Sequence, residues 1–294
     1  MTRHTRVELQ GHTETTVPTF VGLGVLKAGT TLLHTWLAEH PEVCVPSDRK
    51  EVNFFSKYHD RGFQWYADLF EPTTERAVGE FSVSYLHSRL ALERLTSRLP
   101  AVRCLVSLRD PVARIESQYR HFVMVGGYRG SCEDFIHDHP NARSRSLYAP
   151  QLRDLYEFAA VDRVKVMVFE EFTQRAEAEV RSLYRFVGVD EDFQPPSLHS
   201  TVNKTRVVRT PRLFAAKEAV SGYATRHDIR WLLRIGRRVR GDRLLLKPDQ
   251  ESPLPEGFTD AGARRLRAEF NDDIAETSEL LGKDLAALWR RGRV

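Results

Sequence analysis

Three short, mainly apolar segments, each next to a helical pattern, constrain the fold of this 294-residue sequence more than any other feature. Residues 19–25, 103–108 and 164–169 have the composition of strands that are buried on both faces. A further short strand is predicted around residues 77–80. Strands that alternate with helices along the chain predict a mostly parallel sheet with helices packed on both of its faces.

The helical segments carry their own start and stop signals. After the first strand, apolar residues recur at helical spacing until His40-Pro41 ends the pattern. Asp110 followed by Pro111 is typical of an N-cap and the first helical position. Further helices are predicted around residues 152–158, around residues 178–187 with an end at Gly188, and as an amphipathic region over residues 264–289.

The predicted fold class is therefore α/β, a P-loop-like three-layer fold with a central, mostly parallel sheet covered by helices on both faces. Hydrophobic residues make up 41% of the chain, which is enough for a sizeable core and excludes wholesale disorder. We expect a flexible polar tail over residues 1–17 and a single domain over residues 18–294.

Targeting and redox signals favour the cytoplasm. No apolar run approaches the roughly 20 residues that cross a bilayer, and the polar N-terminal residues lack the apolar core of a secretory signal. The three cysteines are too few for a disulfide framework, and no Cys or His cluster suggests a metal site. We expect a cytoplasmic monomer or homodimer without a metal or a membrane partner.

Residues 202–247 carry 13 Lys and Arg against 3 Asp and Glu, whereas the whole chain has a net charge of only +4. Such a segment indicates either an anionic ligand or an arginine-rich helix face in solvent. Within residues 226–243, Trp231 and its apolar neighbours lie among Arg230, Arg234, Arg237, Arg238 and Arg240. That part is interpreted either as a helix packed on the core or as a lid over an acceptor with an apolar body and negative charge.

The loop after the first strand carries the strongest local signal. A glycine-containing turn at this point directs main-chain N–H groups and the positive end of a helix dipole at an anion. Lys27 adds a charge, and Thr30 and Thr31 add hydroxyl donors. Because Lys27 precedes Gly29, the loop is not a Walker A motif. Phosphate binding is favoured over the alternative, an ordinary turn with a surface lysine.

Two further groups of residues suit anion chemistry. Arg109 follows the second strand at the sheet edge where α/β proteins bind ligands, and Ser117 lies two helical turns later. Together they can hold a second phosphate, although a surface ion pair and a neutral serine explain the same residues. Glu51, between a basic pair and an aromatic cluster, is either a general base or a surface ion-pair partner.

Five short motifs follow one another along the chain: Lys-Ala-Gly-Thr-Thr at 27–31, Lys-Glu-Val-Asn-Phe-Phe at 50–55, Gly-Phe-Gln-Trp-Tyr at 62–66, Gly-Glu-Phe-Ser-Val-Ser-Tyr at 79–85 and Leu-Arg-Asp-Pro at 108–111. Their order and spacing resemble the sulfotransferases that use 3′-phosphoadenosine 5′-phosphosulfate (PAPS). The resemblance is closest to the heparan-sulfate-type and related bacterial branch, and it runs from about residue 20 to residue 289.

The resemblance implies sulfuryl transfer from PAPS to a hydroxyl, in preference to an amine, with adenosine 3′,5′-bisphosphate (PAP) as the product and no metal. The loop Lys27, Ala28, Gly29, Thr30 and Thr31 would bind the 5′-phosphosulfate, with Lys27 also catalytic. Arg109 and Ser117 would bind the 3′-phosphate, and Glu51 would be the catalytic base. The residues that match a basic loop closing over PAPS are Asn203, Lys204 and Arg206.

The chain departs from the heparan-sulfate-type pattern at Asn53 and Phe81, where those enzymes often have His and Lys. Both differences concern the acceptor rather than PAPS. We expect a small-molecule or natural-product acceptor. The residues expected to contact it are Asn53, Phe54, Phe81, Tyr85, His121 and Tyr148.

Two other functions are the alternatives. A P-loop kinase or NTPase would need a Walker A lysine, which the first loop lacks. A nucleic-acid-binding protein is suggested by the basic segment, but its aromatic residues are not interleaved with the basic ones and no recognition motif is present. We therefore expect no nucleic-acid partner.

Overall fold

The computed structural model describes residues 6–7, 15–47, 49–70, 74–199, 207–208, 246–247 and 254–291. The strands are β1 Arg6–Val7, β2 Thr15–Thr16, β3 Phe20–Gly24, β4 Val43–Cys44, β5 Ala77–Phe81, β6 Arg103–Leu108, β7 Val164–Val168, β8 Val207–Val208 and β9 Leu246–Lys247. Five of them form a central sheet in the order β4-β5-β3-β6-β7, and every ladder in it is parallel. The predicted α/β class with a parallel sheet is confirmed.

The described helices are α1 Thr30–Glu39, α2 Phe54–Lys57, α3 Gly62–Ala67, α4 Arg89–Arg98, α5 Pro111–Gly126, α6 Cys132–Asp138, α7 Pro140–Ser144, α8 Tyr148–Phe158, α9 Phe169–Gln174, α10 Ala176–Val187, α11 Asp260–Leu281 and α12 Leu285–Arg291. Short 3₁₀ turns cover His59–Arg61 and Val161–Arg163. The amphipathic region predicted over 264–289 consists of two helices, and Gly282 adopts a left-handed conformation between them.

Each face of the sheet is covered by its own hydrophobic cluster. On one face, α1 and α10 pack side chains such as Trp36 and Leu183 against the sheet. On the other, α4, α5, α8 and α11 contribute Leu92, Ile115, Leu152 and Ile274. The helices therefore form the outer two layers. Because the strands are parallel, their carboxyl ends all lie at the same edge of the sheet.

Two glycines let β3 and β5 pack closely. A Cβ atom on Gly22 would lie 2.2 Å from the Phe81 ring, and one on Gly79 would lie 2.3 Å from the Phe20 ring. The Phe81 ring therefore lies over Gly22 on β3, and the Phe20 ring lies over Gly79 on β5. The centroids of the two rings are 6.5 Å apart. The glycines therefore leave room for both rings beside the two strands that end at the candidate site.

The helix after β6 begins as predicted. The Asp110 side chain accepts hydrogen bonds from Val112 N (2.8 Å) and Ala113 N (3.2 Å), and Pro111 occupies the first helical position. The cap fixes the direction in which α5 leaves the sheet. As a result, the polypeptide turns sharply directly after Arg109.

The N-terminal segment predicted as a tail contains a short antiparallel ladder in which Arg6 pairs with Thr16 and Val7 with Thr15. The other residues before 15 lie outside the described part of the chain, so the flexible tail over 1–17 and the single domain over 18–294 stay predictions. None of the described helices is both long enough and apolar enough to cross a lipid bilayer.

Candidate active site

The loop between β3 and α1 has an unusual backbone. Gly29 has φ 81°, and Lys27 has φ 68°, a left-handed conformation that is uncommon for a residue with a side chain. A Cβ on Gly29 would lie 2.6 Å from Phe172 and 2.7 Å from Phe169. Both the backbone angle and the two rings require glycine here. The loop therefore turns tightly into the N-terminus of α1, which begins at Thr30.

Three cationic side chains converge on this loop. Burial, together with the positive charges of Lys50 and Arg109, lowers the pKa of Lys27 to about 8. Like charges so close together destabilise one another unless an anion lies between them. The donor set is therefore suited to an anionic ligand such as a phosphate or a sulfate ester.

Arg109, at the end of β6, is held beside the same loop. Its Nη1 donates to the main-chain oxygen of Lys27 (3.2 Å), and its guanidinium carbon lies 4.4 Å from the centroid of the Phe169 ring. Its Nε is buried and has no hydrogen-bond partner in the described part of the chain. Ser117 is half-buried on α5, on the second turn after Arg109. A buried unpaired donor is costly, so this nitrogen is suited to an oxygen of a bound ligand.

A second arginine, Arg114, fixes the position of the loop between β3 and α1. Its side chain is completely buried. It donates to the carbonyl oxygen of Leu26 (3.3 Å), to Ser146 Oγ (2.7 Å) and to Gln118 Oε1 (3.0 Å). The residue before Lys27 is thus tied to α5 and to the turn before α8.

The C-terminal helix α11 also supports the loop that contains Arg109. Asp273 on α11 accepts hydrogen bonds from Tyr148 N (2.8 Å) and Ala149 N (3.0 Å), at the start of α8. The Tyr148 hydroxyl in turn donates to the carbonyl oxygen of Arg109 (2.7 Å). A carboxylate about 160 residues further along the chain therefore positions the arginine through one intermediate side chain.

Asp110, next to Arg109, is linked to both C-terminal helices, directly to α11 and through Glu170 to α12. Arg267 on α11 forms an ion pair with its carboxylate. Its main-chain N–H donates to Glu170 (3.1 Å), and the other oxygen of Glu170 accepts from Trp289 Nε1 on α12 (3.0 Å). Helix α11 thus contacts the end of β6 directly, and α12 is linked to it through Glu170.

Glu51 lies on the opposite side of the first loop, beside the end of β5. Its main chain forms an isolated parallel bridge with Phe81, and its Oε2 accepts a hydrogen bond from Val83 N (2.9 Å). Its Oε1 lies 3.6 Å from Lys50 Nζ. One carboxylate oxygen is therefore fixed by the main chain, while the partly exposed side chain remains accessible to a substrate.

Lys50 connects Glu51 to the first loop. Its Nζ donates to Thr30 Oγ1 (3.1 Å) and to Thr31 Oγ1 (3.2 Å), the two hydroxyls at the start of α1. Sequence reasoning did not include this lysine among the site residues. The available signal was its place directly before Glu51 in the second motif.

Asn53 is a structural part of the Glu51 segment. It has φ 55°, and its main-chain N–H donates to Ser82 Oγ (2.8 Å). Its amide donates to the Glu51 carbonyl oxygen (3.3 Å) and accepts from Ser84 Oγ (2.5 Å). The amide therefore links the Glu51 main chain to the residues after β5.

Near the Glu51 segment, on β5, the carboxyl group of Glu80 is fully buried. It accepts hydrogen bonds from Ser82 Oγ (2.7 Å) and from the Tyr66 hydroxyl (3.4 Å). Burial raises the pKa of Glu80 to about 8, against the opposing effect of its hydroxyl partners. Glu80 is therefore mostly protonated at neutral pH. Sequence reasoning missed it, because it lies within the fourth motif among residues expected to form a strand.

The comparison with known protein families decides the identity of this site. The family model described as "Sulfotransferase domain" matches residues 19–227, which include Glu51 and both of the loops that are predicted to bind anions. The chain belongs to the sulfotransferase family. The resemblance seen in the five motifs is confirmed, and the protein is an enzyme of that class.

The relatives of this sulfotransferase include one with a known structure. The crystal structure of a sulfotransferase from Alicyclobacillus acidocaldarius superposes with a TM-score of 0.69 at 25% identity, over 94% of this chain and 99% of the other. A membrane-associated sulfotransferase, kil1 of Dictyostelium discoideum, is 36% identical over 110 residues, or 36% of this chain and 23% of that protein.

A human bifunctional heparan sulfate N-deacetylase/N-sulfotransferase 3 is 34% identical over 129 residues, or 40% of this chain and 14% of that protein. The alignments thus span less than a quarter of the length of these two curated relatives.

The structure places most of the predicted acceptor residues in the core of the sulfotransferase. The side chains of Phe54, Phe81, Tyr85 and Tyr148 are at most 1% exposed. These four side chains support the site from within the core, as the Tyr148 bond to Arg109 illustrates, and their contact with an acceptor stays a prediction. His121 is half-buried on α5, and burial and the charge of Lys27 lower its pKa to about 4.

The predicted closing loop, Asn203, Lys204 and Arg206, lies outside the described residues, as does the segment 226–243 with its two interpretations. The strand β8, which directly follows the first of these, contacts α5, the helix that carries Ser117.

Proposed function

We propose that this sulfotransferase transfers the sulfuryl group of PAPS to a hydroxyl of a small-molecule acceptor, with Glu51 as the general base. One observation carries the proposal. Lys50 bonds to the hydroxyls of the anion-binding loop and also lies 3.6 Å from the Glu51 carboxylate. A donor site and a proton acceptor are therefore adjacent, as transfer to a hydroxyl requires.

The two loops have the donors that the two ends of PAPS need. Residues 27–31 would hold the 5′-phosphosulfate, where Lys27 and the N-terminus of α1 supply positive charge. Arg109 and Ser117 would hold the 3′-phosphate, and the buried, unpaired Nε of Arg109 supports this role. Asn203, Lys204 and Arg206 are proposed to cover the donor, and the contact of β8 with α5 supports their approach to it.

The residues of the site divide the chemistry between them. When bound, PAPS supplies an electrophilic sulfuryl group with a phosphate as leaving group. Glu51 accepts the hydroxyl proton of the acceptor, while the Val83 N–H holds its other oxygen in place. Lys27 neutralises the charge that grows on the leaving phosphate. Reaction rate then depends mainly on positioning and charge, as in phosphoryl transfer.

Two positions bear on the acceptor. Asn53 and Phe81 are the departures from the heparan-sulfate-type pattern, and both are used internally: the Asn53 amide bonds to Ser84 and Glu51, and Phe81 is in the core. This supports an acceptor other than heparan sulfate. A cytoplasmic location, a monomeric or homodimeric state and the lack of a nucleic-acid partner stay predictions from the sequence.

A thermal-shift panel tests the donor assignment. PAP should raise the melting temperature without magnesium, whereas ATP with magnesium or duplex DNA should leave it unchanged. Stabilisation by ATP-magnesium alone would favour the kinase alternative, and stabilisation by DNA alone the nucleic-acid alternative. Incubation with PAPS and a panel of phenols, sugars and heparan sulfate, followed by mass spectrometry, then tests the acceptor class.

A further inference from the structure

Lys50 occupies the one position in the described site from which a side chain reaches both the donor loop and the base. Its ammonium group donates to Thr30 and Thr31 and pairs with Glu51. The lysine is mostly buried, with a side-chain exposure of 22%. Such a placement is expensive for a lysine, because ordering its long side chain and removing water from its charge both cost free energy.

The hydroxyl bonds have a chemical consequence. An ammonium group can only donate, so each threonine oxygen must accept from Lys50. Each hydroxyl proton then points away from Lys50. Both protons are thereby available to oxygens of an anion at the start of α1. Lys50 orients two neutral donors in addition to supplying a charge of its own.

The pairing with Glu51 links this arrangement to the chemical step. While Glu51 is ionised, it competes for the Lys50 charge. When Glu51 takes the proton of the acceptor hydroxyl, its negative charge disappears and this competition ends. The Lys50 charge is then free to act on the neighbouring sulfuryl oxygens, at the moment when charge is redistributed across the transferring group.

We propose that Lys50 is a further catalytic residue of this enzyme, whose ammonium group contacts the non-bridging oxygens of the sulfuryl group during transfer. The proposal rests on the proposed function. In the step, the bond from sulfur to the 5′-phosphate oxygen breaks and its electron pair stays on that oxygen. The bond from sulfur to the acceptor oxygen forms, and the acceptor proton moves to Glu51. Lys50 keeps its protons throughout.

The first test compares Lys50→Met, Lys50→Arg and the matched control Lys165→Met. Lys165 is also a partly buried lysine that donates to a hydroxyl, Ser182 Oγ (2.7 Å), but it lies on β7 and touches none of the site residues named above. We measure the affinity for PAP by calorimetry and the rate of PAP formation from PAPS with the acceptor panel and with water.

Lys50→Met should lower the rate about 10²–10³-fold, as expected for loss of a preorganised charge, with PAP affinity changed by less than about threefold. Lys50→Arg should recover part of the rate, and Lys165→Met should leave both quantities unchanged. An unchanged rate in Lys50→Met overturns the proposal. An equal loss of rate and PAP affinity also overturns it, because that pattern means uniform binding of the donor.

The second test needs neither a variant nor turnover. Lysines of the unsubstituted protein are acetylated with acetic anhydride and mapped by mass spectrometry. PAP should protect Lys27 and leave Lys50 reactive, PAPS should protect both, and Lys165 should respond to neither. Equal protection of Lys50 by PAP and PAPS would place it at the 5′-phosphate and overturn the proposal. A protein that binds no PAP, or forms none from PAPS, contradicts the proposed function itself.

Discussion

Arg109 donates a hydrogen bond from Nη1 to the main-chain oxygen of Lys27, over 3.2 Å. The two loops that we propose bind the anionic ends of PAPS are about 80 residues apart in the sequence and are thereby in direct contact. Because β3 and β6 are neighbours in the sheet, the loops that follow them meet at one edge. A ligand with anionic groups at two separated positions would be bound by both loops together.

Removal of the Arg109 side chain tests the second loop. Arg109→Ala and Ser117→Ala should each weaken PAP binding by about 1.5–3 kcal/mol, the usual contribution of a charge-assisted hydrogen bond. Arg103→Ala is the matched control, because Arg103 begins the same strand at its opposite end and donates to Val187 O (3.1 Å). Calorimetric titration with PAP measures the effect. Unchanged affinity in both site variants would exclude them from the 3′-phosphate site.

Glu51→Gln tests the base. The amide keeps the size of the side chain but cannot take a proton, so turnover should fall roughly 10²–10⁴-fold with little change in PAP affinity. Glu42→Gln serves as the control, since Glu42 pairs with Arg76 at the protein surface. If turnover were nearly normal in Glu51→Gln, the base would be sought in His121, which is neutral at pH 7 and can accept a proton.

The affinity for PAP should depend on pH through Lys27. Its pKa is lowered to about 8 by burial and by Lys50 and Arg109, and only the charged form attracts phosphate. Affinity should therefore fall as the pH rises through about 8, above the range in which the phosphates themselves titrate. Lys27→Arg stays charged and should show a flatter profile. Equal profiles in both proteins would assign the pH dependence to another group.

Stability should depend on pH through Glu80. Its pKa is raised by burial to about 8, above the ordinary value of 4.5. The contribution of Glu80 to the free energy of unfolding is thus fully present below about pH 4.5 and is lost as the pH rises through about 8. The free energy of unfolding should change by at most about 1.4 kcal/mol per pH unit in this range. Urea unfolding at several pH values measures the slope. Glu80→Gln should flatten it, whereas Glu93→Gln, at an exposed position on α4, should not.

Local patterns in the sequence predicted most of the sheet. The strand predicted at 103–108 is β6, and the strands predicted at 19–25 and 164–169 are β3 and β7 with ends shifted by one residue. Buried parallel strands and capped helices leave strong local signals, because they need apolar runs and specific cap residues. The two-residue edge strand β4 has too little length for such a signal.

The site was predicted less completely than the sheet. Lys27 and Arg109 could be predicted as site residues because they follow the strands β3 and β6, and Glu51 because it lies between a basic pair and an aromatic cluster. The role of Lys50 depends on its contact with Thr30, which is 20 residues earlier in the chain, and the raised pKa of Glu80 depends on its burial in the folded protein. Aromatic residues beside a motif can face either the cleft or the core, and periodicity in so short a segment does not distinguish the two.

The matched family segment stops at residue 227, yet the strand end that carries Arg109 is held by side chains well beyond it. Asp273 reaches it through Tyr148, Arg267 pairs with Asp110, and Trp289 bonds to Glu170. A chimera that took only residues 19–227 from this enzyme would contain its donor and base motifs. The side chains that support the end of β6 from beyond residue 227 would then come from the other protein. For recombination, natural or designed, the transferable unit of this enzyme includes its last two helices.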